Sequence, residues 1–134
     1  MKRAVLLLAL LATSVVSAQT REKQAERLGE YLPYAGEPVD RFQFWELIRY
    51  ELVGEYQVVV WPRLKEAYLL TVDGPCNDLE WAHSIALTSS VNSVHSRFDF
   101  VLADDSRCRI NEIRPIDYPK YLADRKEARE ADAN

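Results

Sequence analysis

The sequence predicts an all-β, mainly antiparallel domain: a small barrel or roll of about six strands with a helix at each terminus. Three observations predict it. Residues 66–72 and 97–103 alternate with the two-residue period of a strand. Asp73-Gly74-Pro75 and Asp104-Asp105-Ser106 punctuate those runs with turn chemistry. Helical spacing is confined to residues 20–31 and 118–131, one stretch near each end.

At the start of the chain, Lys2 and Arg3 supply a charged head, and residues 4–12 follow without a charged side chain. Val16, Ser17 and Ala18 before Gln19 approach the small-residue pattern that signal peptidase cuts. The reading is a secretory signal over residues 1–18, cleaved after Ala18. Its apolar run falls well short of the roughly 20 residues that span a bilayer, so no membrane span is expected after cleavage. Gln19 stands where a lipoprotein needs cysteine.

Residues 19–39 then form a helix and a lead-in. Thr20 is placed to cap a helix with Ala25, Leu28 and Leu32 on one face, and two glycines and two prolines between Gly29 and Pro38 end it. The β domain covers residues 40–117. Strands are expected at 41–48 and 56–61, the second apolar on both faces and therefore central. A turn at 62–65 leads into a strand at 66–72, closed by Gly74-Pro75. A short helical turn at 77–83 and a strand at 84–89 follow, then a hairpin of 97–103 and 107–114. A three-residue loop is expected there, setting Leu102 opposite Cys108 and Phe100 opposite Ile110, all inward. Asp117 caps a final helix, and residues 118–134 form helix and tail.

Composition narrows the function classes. The 134-residue chain carries a net charge of −4. Losing the leader removes two cations and lowers the charge further, which disfavours nucleic acid and anionic lipid as partners. Cys76 and Cys108 are the only cysteines. An exported chain meets oxidising machinery that joins such a pair, and the C-x-x-C spacing of a redox or metal site is absent. The expected disulfide is worth about 3–4 kcal/mol on the chain-entropy estimate.

The candidate chemistry is sparse. His83 and His95 are too far apart for a one-helix metal site and read as surface or half-buried imidazoles. Asp78, His83 and Ser84 are the residue types of a hydrolase triad without its strained nucleophile turn. Asp104-Asp105 reads as turn chemistry. No catalytic residue, metal site or cofactor is expected. Arg97, Asp99, Arg107, Arg109 and Arg114 form a candidate recognition face, an outward ladder whose forked arginine donors suit a partner's backbone or carboxylates. Trp45 and Trp61 read as core.

The run from Tyr34 to Asp117 resembles a family of small exported bacterial proteins classed only as a domain of unknown function. The resemblance rests on AYLLTVDGPCNDLEWAHSIALTSS, SRFDFVL and CRINEIRP. It implies a signal peptide, a periplasmic or secreted domain and the paired cysteines Cys76 and Cys108, and supplies no catalytic residue, substrate or cofactor.

The resulting expectation is a non-enzymatic periplasmic or secreted interaction module, with a protein or envelope component as partner. Inhibition of a basic envelope-attacking enzyme is one form it takes. A carrier of a small apolar ligand inside the barrel is the alternative. A filled interior favours the module, an internal apolar cavity the carrier, and three or more ionisable side chains converging on a cleft around His83 or His95 an enzyme.

Overall fold

The computed structural model describes the backbone of residues 12–134 and side chains from Thr20 onward. The charged head and most of the apolar run of the expected leader lie outside the described residues. Helix α1 (Ala12–Tyr31) runs unbroken through the expected cleavage point. Eight strands follow: β1 (Arg41–Gln43), β2 (Arg49–Leu52), β3 (Gln57–Arg63), β4 (Glu66–Val72), β5 (Ile85–Leu87), β6 (Ser93–His95), β7 (Phe100–Ala103) and β8 (Ser106–Ile116). Helix α2 (Tyr118–Ala133) ends the fold. Among the described residues, no helix is long and apolar enough to cross a membrane.

Six strands form one antiparallel sheet in the order β2-β3-β4-β8-β7-β5, and β1 pairs with β6 in a separate two-stranded sheet. The six-stranded sheet curls into a nearly closed barrel. Its two edges face a common core: Tyr50 and Leu52 from β2, and Ile85 and Leu87 from β5, pack on the same buried cluster. Tyr50 Oη also donates to the His83 carbonyl at 3.3 Å, joining the two edges.

Side chains fill the barrel. Val58, Val60, Leu70, Val101, Ile110 and Ile113 are buried there, and β1 and β6 add Phe42 and Val94. An alternating strand cannot point both Ile110 and Ile113 inward, because they are three residues apart. A β-bulge resolves this: Val72 pairs with Ile110 and Thr71 with Glu112, so Asn111 is the extra residue and parity flips. A second register shift between Val60 and Arg63 accommodates Pro62, which has no N–H for a ladder.

The outer face of β3 and β4 carries a second core. Val59, Trp61, Ala67 and Leu69 lie beneath Tyr31 from α1 and Tyr118 and Tyr121 from α2. That explains why β3 is apolar on both faces: one lines the barrel and the other lies beneath the helices. Arg27 fixes α1 in place, with Nε 2.6 Å from Glu51 Oε1 and Nη2 3.1 Å from Oε2. Asp117 caps α2 as expected, its Oδ1 accepting from the Lys120 N–H at 3.2 Å.

Three expectations are corrected. Of the run 41–48 only Arg41–Gln43 is strand (β1), β2 begins beyond it at Arg49, and β6 adds a short strand missed in the sequence. Trp45 is 67% exposed rather than core. The β7–β8 hairpin has a two-residue loop: Val101 faces Cys108, Phe100 faces Arg109 and Leu102 faces Arg107. The aromatic therefore points outward rather than inward. Its exposure is limited because Arg107 and Arg109 stack on the Phe100 ring, their guanidinium carbons 4.1 Å and 5.6 Å from its centroid.

Candidate functional site

Cys76 and Cys108 are joined, with their Cα atoms 5.8 Å apart. Both are buried, and the bond ties the β4–β5 connection to the inner face of β8. The same connection is held by Ser106 Oγ, which donates to Asp78 Oδ2 at 2.7 Å. The Asp104 carboxylate accepts from the His83 and Ser84 backbone N–H groups at 3.1 Å and 3.3 Å. These donors, the His83 N–H foremost, hold the exposed Asp104 carboxyl below its ordinary pKa. Asp104 stands at φ 49°, a conformation aspartate tolerates in turns.

The five residues expected to share a recognition face do not lie together. Arg107 and Arg109 flank Phe100 on the outer surface of the hairpin. Arg114 is a strap, donating from Nε to the Gly36 carbonyl at 2.9 Å and from Nη2 to the Ala35 carbonyl at 3.2 Å. Arg97 is exposed at φ 64° in the turn before β7. Asp99 is only 3% exposed and faces inward, contrary to its expected place on the outer ladder. Asp99 lies on the same face as Val101 and Ala103, which the observed hairpin register turns inward.

A buried carboxylate is costly unless donors surround it. Asp99 has them. Oδ1 accepts from Thr88 Oγ1 at 2.8 Å, and Oδ2 accepts from the His95 backbone N–H at 2.7 Å. Thr88 Oγ1 in turn accepts from the Phe100 N–H at 2.8 Å. His95 Nδ1 lies 3.3 Å from Asp99 Oδ2, so the carboxylate orients the imidazole and leaves its other nitrogen free of that contact.

This arrangement sits at the wall of a cleft of about 1050 Å³, open to solvent. Residues 38–41 form one side, the segment 90–98 a second, and β8 beyond its bulge the third. The walls are tied together: the Ser96 N–H donates to the Asp40 carbonyl at 2.9 Å and the Arg97 N–H to the Ile110 carbonyl at 2.6 Å. The bulge residue Asn111 lines the cleft, as bulged residues do when a strand is re-aimed. Arg41, Arg97, Asp40 and Glu112 also line it, and among the described residues none of these four forms an ion pair.

The rim carries exposed apolar groups on unusual backbone. Phe98 is 68% exposed and Val91 is 95% exposed. Val91 and Asn92 stand at φ 51° and 57° in a two-residue turn closed by Ser90 and Ser93. Positive φ at both centres is what a type I′ hairpin turn demands, and a β-branched residue is the poorest choice for it. A second groove, of about 510 Å³, lies between the helices. Its Arg27 and Arg125 are already paired with Glu51 and Glu30.

Sequence reasoning identified the disulfide and singled out Arg97. It missed Asp40, Arg41, Phe98 and the joining of His95 to Asp99. The available signal was the polar, turn-forming run Ser89 to Ser96 between two apolar stretches.

No curated protein and no solved structure matches the chain. The sequence model of one family matches residues 1–132, in keeping with the resemblance carried by the cysteine segments: the chain belongs to DUF6491, a family of unknown function.

Proposed function

We propose that this protein is an exported, non-enzymatic binding module of the periplasm or the extracellular space, and that it takes its ligand in the cleft beside His95. The observation that carries the reading is backbone strain at the rim. Val91 and Arg97 are non-glycine residues held at φ 51° and 64°, and both line the same cleft. Strain of this kind costs of order 1–3 kcal/mol per residue and concentrates where a fold presents groups to a ligand. The buried cysteine bridge and the leader-like first eighteen residues support the compartment.

The packed barrel interior weighs against carriage of an apolar ligand within it. Acid–base catalysis is a second reading, and the convergence of ionisable side chains expected of an enzyme is met: His95, oriented by buried Asp99, shares the cleft with Asp40, Arg41, Arg97 and Glu112. Binding is preferred because the filled barrel interior favours the module and, among the described residues, no hydroxyl is hydrogen-bonded to the His95 ring to serve as a nucleophile.

A fragment screen read by amide chemical shifts tests the proposal. Hits are expected to move residues 38–41, 90–98 and 111–113, and Ser93→Trp, which fills the cleft, is expected to abolish them. Hits confined to the Arg107 and Arg109 surface, or unaffected by Ser93→Trp, would move the site elsewhere. Turnover of an ester or amide fragment that disappears in His95→Gln would establish the enzymatic reading instead.

A further inference from the structure

The cleft's charge pattern specifies more than its existence. This step rests on the cleft being the binding site. Arg41 and Arg97 present two guanidinium groups, Asp40 and Glu112 two carboxylates, and none of the four is neutralised by an ion pair among the described residues. A simple anion entering the cleft meets two carboxylates, and a simple cation meets two guanidinium groups. An uncharged lipid strips water from all four without replacing it, the costliest outcome. A ligand carrying both signs, suitably spaced, satisfies donors and acceptors together.

The rim adds a second requirement. Phe98 offers an exposed ring beside His95, with centroids 6.4 Å apart, and Val91 projects into solvent. A partner that covers them gains from burying an apolar group of its own. The volume, about 1050 Å³, lies at the upper end of small-ligand sites, which run to about 1,000 Å³. That is room for a few linked residues rather than a single amino acid.

We propose that the cleft binds a short zwitterionic peptide: its free carboxylate lies against Arg41 or Arg97, its free ammonium against Asp40 or Glu112, and an apolar side chain against Phe98. No bond is made or broken.

Titration calorimetry on the full disulfide-bonded chain tests this with Ala-Phe-Ala, Ala-Leu-Ala and Ala-Ala-Ala. The first is also used in N-acetylated, C-amidated and doubly blocked forms. Expected results are binding of the free Ala-Phe-Ala peptide, about tenfold weaker binding on blocking either end, and weaker binding of the alanine peptide. In Arg41→Gln/Arg97→Gln, C-amidation is expected to lose its effect while N-acetylation keeps its own. Asp40→Asn/Glu112→Gln is expected to show the reverse. Thermal melts of both doubles confirm folding, since none of the four side chains lies in either core. Equal binding of free and doubly blocked peptides overturns the zwitterion. So does failure of all three free peptides when fragments still occupy the cleft in the chemical-shift screen. If fragments and peptides both miss the cleft, the site itself is wrong.

Discussion

The carboxylate of Asp99 accepts a 2.7 Å hydrogen bond from the backbone N–H of His95 and lies 3.3 Å from the same residue's ring Nδ1. One buried side chain therefore fixes both the end of β6 and the imidazole at the cleft wall. Asp99→Ala removes the acceptor for that N–H and for the Thr88 hydroxyl proton, leaving both donors unpaired. The expected loss is about 2–3 kcal/mol by urea denaturation, with the His95 ring losing its orientation. Asp99→Asn, which keeps one acceptor oxygen, is expected to lose less. Equal losses for the two would mean that the site responds to volume rather than to acceptor geometry.

Val91 pays a conformational cost that glycine does not. Val91→Gly is expected to raise stability by about 0.5–1 kcal/mol, strain relief exceeding glycine's unfolded-state entropy. Because Val91 is almost wholly exposed, little packing is lost. A destabilised Val91→Gly variant in thermal melts would show that the turn is not strained.

The Cys76–Cys108 bridge closes a separation of 32 residues. Cys76→Ser is expected to lower stability by about 3–4 kcal/mol under oxidising conditions and to change little in reductant. Comparison of melting temperatures in both conditions checks this directly. Identical melting of wild type with and without reductant would remove the bridge as a stabiliser.

Glu51 makes stability depend on pH. Burial raises its carboxyl pKa, but hydrogen bonds from Arg27 and Tyr31, with the Arg27 charge, outweigh burial and leave it below the ordinary 4.5. A depressed folded value stabilises the native state above the ordinary pKa, and this contribution is lost as pH falls through the folded value. Stability is thus expected to decline below about pH 4.5. Glu51→Gln should flatten that decline and cost about 1–2 kcal/mol at pH 7, because Arg27 and Tyr31 lose the Glu51 carboxylate while Arg27 keeps its ion pair with Glu30. An unchanged acid limb in the variant would assign the pH dependence to other groups.

Trp61 is fully buried, yet among the described residues its Nε1–H has no hydrogen-bond partner. Its ring packs against Tyr31 and Tyr118, with the Arg49 guanidinium carbon 4.3 Å from the ring centroid. Trp61→Phe removes the unsatisfied donor and is expected to cost under about 1.5 kcal/mol. Trp61→Ala opens a cavity beneath both helices and is expected to cost about 3–5 kcal/mol. Similar losses in equilibrium unfolding would show that the indole N–H is satisfied in solution.

Local pattern made several elements legible. Strand β4 spans residues 66–72 as its alternation predicts, and α2 begins at the residue after its cap, Asp117. The double-sided apolarity of β3 correctly indicated a strand with neighbours on both sides. The hairpin register was misread because burial alone was used to orient Phe100, when two arginines cover its outer face. β6 escaped notice because three residues, Ser93 to His95, have no periodicity of their own and form a strand only by pairing with β1, some fifty residues earlier.

The sequence by itself determined the antiparallel class, the terminal helices, the cysteine bridge and the family. Each of these is written in short-range spacing or in residue types whose chemistry is local. Only the tertiary structure decided which side chains meet. Asp99 turns inward because Thr88 and His95 supply its donors, and the cleft exists because a bulge at Asn111, a lead-in at Asp40 and a strained turn at Val91 converge from distant parts of the chain. Contacts of that kind depend on chain closure over long separations, and no window of sequence contains both halves of them.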